Sequence, residues 1–172
     1  MPGPWPLQGD AIDYLQSLVD LGDRVGFDSI WVPDSPNIDS RNPDPMVILS
    51  LVSVLSSSLK FGTSVIQIPI RNPIILAKEM ATLDNLSRGR LLPAIGLGPE
   101  DPKNYPAFGV DRQYRGPITD ESVMIMKRLW TEDTVTFRGK FYSFENMTLY
   151  PKPFQKPCLP IWIGGNSIAA QS

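Results

Sequence analysis

The sequence contains no histidine and a single cysteine, Cys158, among its 172 residues. These two absences exclude Ser-His-Asp and Cys-His nucleophile chemistry, histidine-based metal sites, zinc fingers and any disulfide within the chain. The chemistry of the protein therefore depends on carboxylates, hydroxyls, backbone groups or a bound cofactor.

An excess of positive charge is also missing, because 16 lysines and arginines stand against 18 aspartates and glutamates, for a net charge of −2. Such a balance leaves no electrostatic footprint for nucleic acid or an anionic membrane. The longest aliphatic run, residues 46–55, contains two serines and is far too short to span a bilayer. No cationic start followed by an apolar stretch opens the sequence. We therefore expect a cytoplasmic protein that binds neither nucleic acid nor membranes.

Helical and β-rich segments alternate along the chain. Apolar residues at helical spacing predict helices over residues 10–25, with Asp10 as the N-cap, and over 45–55, 74–86 and 119–130. Short apolar runs that end at proline or glycine predict strands over residues 27–32, 60–66, 91–95 and 161–163, the third interrupted by Pro93. Residues 100–117 are predicted to form a long loop, 135–142 a small β-hairpin around Gly139, and 150–160 a proline-rich linker.

This alternation is typical of parallel β/α units with right-handed crossovers. A doubly wound sheet and part of a β/α barrel both fit the pattern. A complete eight-stranded barrel takes about 250 residues, so a barrel interpretation makes this chain roughly half of one.

Several short blocks occur together in the order and spacing of one known family. The blocks are GFDSIWVPD at residues 26–34, FGTSV at 61–65, RNP at 71–73, ATLDNLSRGR at 81–90, FGV at 108–110, Glu121 followed by LW at 129–130, PKP at 151–153 and PIWIGG at 160–165. With them the chain resembles the luciferase-like monooxygenase family, the bacterial-luciferase superfamily, whose members use FMN or the deazaflavin coenzyme F420 on a (β/α)8 TIM barrel. Each block is weak alone, but together they cover nearly the whole chain in register.

The resemblance implies an α/β fold that is part of this barrel. Residues 1–172 are then one luciferase-like domain with roughly strands two to five of the family barrel and a small β-hairpin insertion. The domain is expected to be incomplete at both ends, without the family's N-terminal strand and the C-terminal half of its barrel, as in a truncated product or partial gene model. Open sheet edges invite association, so a half-barrel that forms a homo-oligomer is the alternative.

Barrel enzymes bind ligands at the carboxyl ends of their strands, and the resemblance therefore points to four short segments on one face. The expected cofactor-binding residues are Asp34, Ser35, Thr63, Ser64, Val65, Gly96, Gly98, Gly164, Gly165 and Asn166. In this family a non-proline cis peptide backs the flavin ring, and its position here is Ser64-Val65. The Gly164-Gly165 turn is also expected to open a helix, whose unpaired N–H groups favour a phosphate.

The sequence departs from the family at two positions. Many deazaflavin-dependent members have histidine where this chain has Ser35, and luciferases proper have a phosphate-binding arginine at the position of Leu97. The catalytic residues are therefore unassigned, with Glu100 as a candidate acid, and the missing arginine favours deazaflavin over FMN. Glu121, Trp130 and residues 88–90 are interpreted as structural, and Lys152 and Lys156 as solvated charges.

The resulting hypothesis is a flavin- or deazaflavin-dependent oxidoreductase or monooxygenase that acts on a small organic substrate, in which the cofactor performs the redox chemistry. The alternative is a non-catalytic barrel fragment or flavin-binding paralogue.

Overall fold

The computed structural model describes residues 10–35, 42–98 and 101–165. The α-helices of this part are α1 (Ala11–Val25), α2 (Pro45–Leu55), α3 (Pro73–Leu86) and α4 (Arg115–Thr131). The strands are β1 (Ser29–Val32), β2 (Lys60–Thr63), β3 (Ile66–Gln67), β4 (Leu91–Leu92), β5 (Ala94–Gly96), β6 (Val135–Arg138), β7 (Ser143–Met147) and β8 (Trp162–Ile163). Short 3-10 turns occupy Ile68–Ile70, Pro102–Asn104, Pro106–Phe108 and Arg112–Tyr114.

The four segments that the sequence predicted as parallel strands form two parallel ladders. One ladder has the order β1-β2-β4 and a second has the order β3-β5-β8, and all of their pairs are parallel. Because β2 and β3 are two halves of one chain segment, as are β4 and β5, the second ladder continues the first along the same strands. The four segments thus lie side by side in chain order, which confirms the expectation that they are consecutive strands of a barrel.

The Thr63 hydroxyl joins the two ladders at the point where both middle strands break. Pro93 separates β4 from β5 and has no N–H to give to a ladder. The Thr63 side chain, which is completely buried, donates to the Ala94 carbonyl over 2.6 Å and accepts the Ala94 N–H over 3.0 Å. One hydroxyl thus supplies the two hydrogen bonds that the interrupted backbone lacks there.

The helices begin where the sequence supplies side-chain caps. Asp10, Asp44 and Asn72 each accept two backbone N–H groups in the first turns of α1, α2 and α3. Helix α1 ends at Gly26, whose φ of 76° is the left-handed conformation that glycine adopts without strain. Within the described ranges, no helix combines the length and the apolar character needed to cross a membrane.

The apolar faces of these helices share one core with the strands. Trp130 of α4 is almost completely buried, and its Nε1 donates to the Ala77 carbonyl of α3 over 2.9 Å. Buried side chains of the core include Leu15, Val19, Leu49, Val52, Phe61, Ile66, Leu76, Met80, Leu91, Ile95, Ile125 and Leu129. The core therefore lies between the sheet and its helices, as in a β/α barrel wall.

Helix α4 begins earlier than the sequence predicted. It starts at Arg115 rather than at residue 119, directly after the 3-10 turn Arg112–Tyr114. Pro117 falls in its first turn, where an N–H has no partner within the helix in any case. The predicted loop over 100–117 is thus shorter and contains 3-10 turns around Tyr105, which is 2% exposed.

The β-hairpin is present, but its second strand is Ser143–Met147 and lies beyond the predicted range of 135–142. The reason is Glu121, whose carboxylate accepts the N–H groups of Lys140, Phe141 and Tyr142 and so makes these residues the turn. The structural role expected for Glu121 agrees with these contacts.

The proline-rich segment 150–160 is packed against the helices and is not a free linker. Asn85 donates to the Lys152 carbonyl over 2.6 Å. Lys152 is not a solvated charge, because its Nζ donates to the carbonyls of Leu129 and Glu132 at the end of α4. Lys156 donates to the Pro153 carbonyl over 3.0 Å.

Candidate functional site

The sheet is curved, and two tryptophans meet on its concave side. Trp31 of β1 and Trp162 of β8 have ring centroids 5.8 Å apart. Their strands are the first and last of the four segments. In a flat sheet with about 4.8 Å between neighbouring strands, these two outer strands would lie about 14 Å apart. Gly62 lies under the Trp31 ring, and a Cβ atom there would be 2.6 Å from that ring. Curvature of this kind is expected for part of a barrel wall.

Val65 is held between two glycines at the carboxyl ends of the neighbouring strands. A Cβ atom at Gly96 would lie 2.6 Å from Val65 Cγ2, and one at Gly164 would lie 2.5 Å from Val65 Cγ1. The Ser64-Val65 peptide bond is cis, at the position that the resemblance predicted. Ser64 is exposed and Val65 is half-buried. The structure thus brings three of the predicted site residues, Ser64, Gly96 and Gly164, together around a fourth, Val65.

The Asp34 carboxylate lies at the same end of the sheet and is 7% exposed. Its Oδ2 accepts the Gln67 N–H over 2.9 Å and Arg71 Nε over 3.3 Å, while its Oδ1 accepts Arg71 Nη2 over 3.0 Å. Arg71 Nη2 also donates to Asp44 Oδ2 over 2.9 Å. Asp34 is therefore part of a hydrogen-bonded ion-pair cluster with Arg71 and Asp44.

The charges of this cluster stabilise one another. Burial alone lowers the pKa of Arg71, but hydrogen bonds to Asp34 and Asp44 and their negative charges raise it above its ordinary value. Burial likewise raises the pKa of Asp44, yet the hydrogen bond and charge of Arg71, with the N–H groups of Val47 and Met46, lower it overall. Arg71 and Asp44 therefore both favour their charged forms in the folded protein.

Gln67 and Tyr105 pack against the turn that follows β5. A Cβ atom at Gly98, whose φ is +83°, would lie 2.7 Å from Gln67 Oε1 and 3.0 Å from the Tyr105 hydroxyl. That hydroxyl donates to the Leu97 carbonyl over 3.0 Å, and Arg115 Nη1 lies 3.4 Å from the Gly98 carbonyl. Gln67 Nε2 also donates to the Asp34 carbonyl over 2.9 Å. Gln67 therefore links the ends of β1 and β5.

The remaining predicted site residues are placed differently. Thr63 is buried and bonded to Ala94, so its side chain joins strands and does not line the open face. Ser35 is half-buried beside Asp34, and Gly165 is exposed after β8. Asn166 and Glu100 lie outside the described residues.

Sequence reasoning missed Gln67, Arg71 and Tyr105 as members of this region. Arg71 carried a signal, since it belongs to one of the family blocks. Gln67 carried a weaker one, because it is the single polar residue within residues 65–70. Tyr105 stands in a polar, proline-containing stretch that gave no periodic pattern.

Comparison with known proteins identifies the family of the chain. A family model described as luciferase-like monooxygenase matches residues 2–171, and the chain therefore belongs to the luciferase-like monooxygenase family. A curated relative, the F420-dependent glucose-6-phosphate dehydrogenase of Kineococcus radiotolerans, is 32% identical over 154 residues, which are 85% of this chain and 45% of that protein.

Solved structures share the fold. The monooxygenase RslO1 of Streptomyces bottropensis superposes with a TM-score of 0.84 at 27% identity, over 94% of this chain and 50% of that one. The oxygenating constituent of 3,6-diketocamphane monooxygenase of Pseudomonas putida, solved in complex with FMN, superposes with a TM-score of 0.80 at 20% identity, over 94% and 48%. The chain thus spans about half the length of the relatives it matches, and the predicted α/β partial-barrel fold is confirmed.

Proposed function

We propose that this chain provides part of the cofactor site of an oxidoreductase or monooxygenase that uses F420 or FMN on a small organic substrate. One observation carries the proposal: in a member of the luciferase-like family, Val65 is clamped between Gly96 and Gly164 at the carboxyl ends of the strands. Barrel enzymes bind their ligands at this end.

The residues at this end fit the ring of such a cofactor. A flavin-type ring is flat and largely apolar, with polar edges, so it needs an apolar support flanked by hydrogen-bonding groups. Val65 offers the apolar support, and side chains at positions 96 and 164 would compete with it for space. The exposed hydroxyl of Ser64 lies next to it in the chain. Asp34 and Gln67 supply polar groups at the neighbouring strand ends.

The bound cofactor would supply the transfer of hydride or electrons, and the protein would bind and orient it. Val65 would exclude water from one face of the ring, and Ser64 would offer a hydroxyl to a polar edge. Gly165 and Asn166 stay predictions for the phosphate-bearing part of the cofactor. Thr63 would contribute indirectly, by holding the two strand breaks together.

Of the two cofactors, F420 is the first choice. The curated relative at 32% identity is described as F420-dependent. In addition, the position at which luciferases proper have a phosphate-binding arginine is occupied by Leu97, whose side chain is apolar and 39% exposed. FMN is the second choice.

The test is a titration of the purified chain with F420 and with FMN, followed by absorbance and by quenching of cofactor fluorescence. We expect one site per chain with tighter binding of F420. Val65→Ala removes apolar surface worth about 1.6 kcal/mol, or roughly tenfold in Kd. Val47→Ala makes the same change on α2, where Val47 is 62% exposed, and should leave Kd unchanged. Absence of saturable binding for both cofactors would contradict the proposal and favour the non-catalytic alternative.

Three further expectations accompany this proposal. The single domain over 1–172 that is incomplete at both ends, the cytoplasmic location and the association of copies all stay predictions. Size-exclusion chromatography of the chain with and without cofactor would test the association.

A further inference from the structure

Arg71 connects two aspartates that lie at the ends of different elements. It follows the 3-10 turn Ile68–Ile70 directly and is separated from α3 by Asn72 alone. Its guanidinium contacts Asp34, just after β1, and Asp44, the N-cap of α2. One side chain therefore ties the end of a strand to the start of the following helix.

The contact with Asp34 has the geometry that fixes a carboxylate in orientation. Arg71 donates through Nε and Nη2 to different oxygens of Asp34, over 3.3 and 3.0 Å. Such two-pronged pairing holds both the distance and the plane of the carboxylate, which a single contact from lysine does not. The Asp34 side chain is 3% exposed and that of Arg71 is 21% exposed, so water competes little for these bonds.

We propose that Arg71 is a positioning residue that fixes the Asp34 carboxylate, and with it the Gln67 backbone bonded to that carboxylate, at the carboxyl end of β1 where a flavin-type cofactor would bind. The proposal rests on the proposed function for the role of Asp34 toward that cofactor. Arg71 itself acts through Asp34 and does not contact the cofactor in this account.

A second arginine–carboxylate pair shows what a surface ion pair looks like in the same molecule. Arg138 and Glu145 of the β-hairpin are 2.6 Å apart, but their side chains are 76% and 60% exposed. Exposed pairs of this kind contribute little to stability. Arg138→Met is therefore a matched control for Arg71→Met, since both remove a paired guanidinium and keep an unbranched apolar side chain.

The test is a double-mutant cycle on cofactor affinity. F420 is titrated against the wild-type chain and against R71M, D34N and R71M/D34N, with R138M as the control. We expect R71M to weaken F420 binding about tenfold, and the double variant to bind no more weakly than D34N alone, because in this proposal Arg71 influences the cofactor site through Asp34 and not through its contact with Asp44. R71K keeps the charge without the two-pronged contact and should lie between wild type and R71M. Additive effects of R71M and D34N would overturn the proposal.

A second measurement separates this proposal from the proposed function and from a general loss of stability. The Gln67 N–H donates directly to Asp34 Oδ2, so its hydrogen exchange reports whether the carboxylate stays in place. In R71M and R71K we expect faster exchange at Gln67 and unchanged exchange at Phe61, whose N–H donates to the Arg90 carbonyl. Wild-type exchange at Gln67 in both variants would overturn the positioning role. If the wild-type chain binds neither cofactor, the proposed function fails, and exchange at Gln67 still decides whether Arg71 positions Asp34.

Discussion

Two buried aspartates, Asp34 and Asp84, hold opposite ends of the same set of parallel strands. Asp34 follows the carboxyl end of β1, whereas Asp84 lies near the end of α3, which leads to the amino end of β4. Each accepts the backbone N–H of a glutamine over 2.9 Å, Gln67 in one case and Gln155 in the other. The same carboxylate–glutamine pairing thus occurs twice, once at the candidate site and once away from it.

The two pairings differ in what balances the negative charge. Asp34 is bonded to the guanidinium of Arg71, whereas the Asp84 carboxylate accepts the backbone N–H and the side-chain amide of Gln155. Gln155 Nε2 also donates to the Leu91 carbonyl over 3.0 Å, so Asp84 fastens the segment 150–160 to α3 and β4. At the amino ends of the strands the carboxylate thus pairs with neutral amides, whereas at the carboxyl ends it pairs with a guanidinium that fixes its orientation.

The largest expected effect is at Asp84. Asp84→Ala leaves the Gln155 N–H without its acceptor and removes one of the two acceptors of the Gln155 amide. Because Asp84 is 0% exposed, this change should lower the free energy of unfolding by about 3 kcal/mol. Urea denaturation measures this change. Asp28→Ala, which removes an exposed ion pair with Lys60, should change it by less than about 0.5 kcal/mol. Equal decreases in the free energy of unfolding for the two variants would show that Asp84 contributes no more to stability than a surface carboxylate does.

At the opposite end, Gly96→Ala should lower the free energy of unfolding by about 2 kcal/mol. The added Cβ would lie 2.6 Å from Val65 Cγ2, so Val65 must move. Val65→Ala in the same chain removes that methyl and should recover most of the loss, as measured by thermal denaturation. Gly116→Ala, where nothing lies within 4 Å of the added atom, is the control and should be neutral. If Val65→Ala fails to restore stability, contact with Val65 is not the reason why position 96 requires glycine.

A smaller effect is expected from Lys152→Met. The Lys152 ammonium donates to carbonyls at the end of α4, where a positive charge is favourable to the helix dipole. Its removal should cost about 1 kcal/mol in urea denaturation. Lys60→Met, which removes a lysine that is 51% exposed, should have less effect. A loss no larger than that of the control would mean that the hydrogen bonds of Lys152 contribute nothing to stability.

The smallest expected effect is a pH dependence at Asp44. Arg71 and two N–H groups lower the pKa of Asp44 against the opposing effect of burial. A carboxyl whose pKa is lower in the folded state stabilises the protein above its unfolded pKa of about 4, and this contribution disappears as the pH falls through the folded pKa. Asp44→Asn keeps the helix cap but loses the charge. Its deficit relative to wild type should be less than about 1 kcal/mol at pH 7, because the side chain is 42% exposed.

Repeating that comparison at pH 3 provides the check. The wild-type chain should lose its advantage over Asp44→Asn as its carboxyl becomes protonated, so the two unfolding free energies should converge. A difference of the same size at both pH values would show that the charge of Asp44 contributes nothing to the cluster.

The features that the sequence predicted well depend on local chemistry. Asp10 caps α1 and Gly26 ends it, because these residues act within a few positions of themselves. The alternation of strands and helices predicted parallel strands, and the family resemblance, which makes them consecutive strands of a barrel, predicted their order. The cis bond at Ser64-Val65 was predicted from the family resemblance and not from the residues themselves.

The features that the sequence did not predict depend on distant partners. The hairpin turn is set by Glu121, about 20 positions before it in the chain. Asp34 meets Arg71 across 37 positions, and Asp84 meets Gln155 across 71. Hydrophobic periodicity carries no information about which buried carboxylate pairs with which donor. The ion-pair cluster therefore becomes visible only in the three-dimensional structure.

The meeting of Trp31 and Trp162 makes the curvature of the sheet visible to spectroscopy. Their indole rings are 5.8 Å apart and tilted by 60°, so their electronic transitions couple and should give paired bands of opposite sign in circular dichroism. Trp130 is buried and bonded to Ala77 in the helical layer, away from the concave side of the sheet. A flattened sheet would separate the two indoles and abolish the paired bands. The circular dichroism of these two residues therefore reports the curvature of the four-stranded sheet.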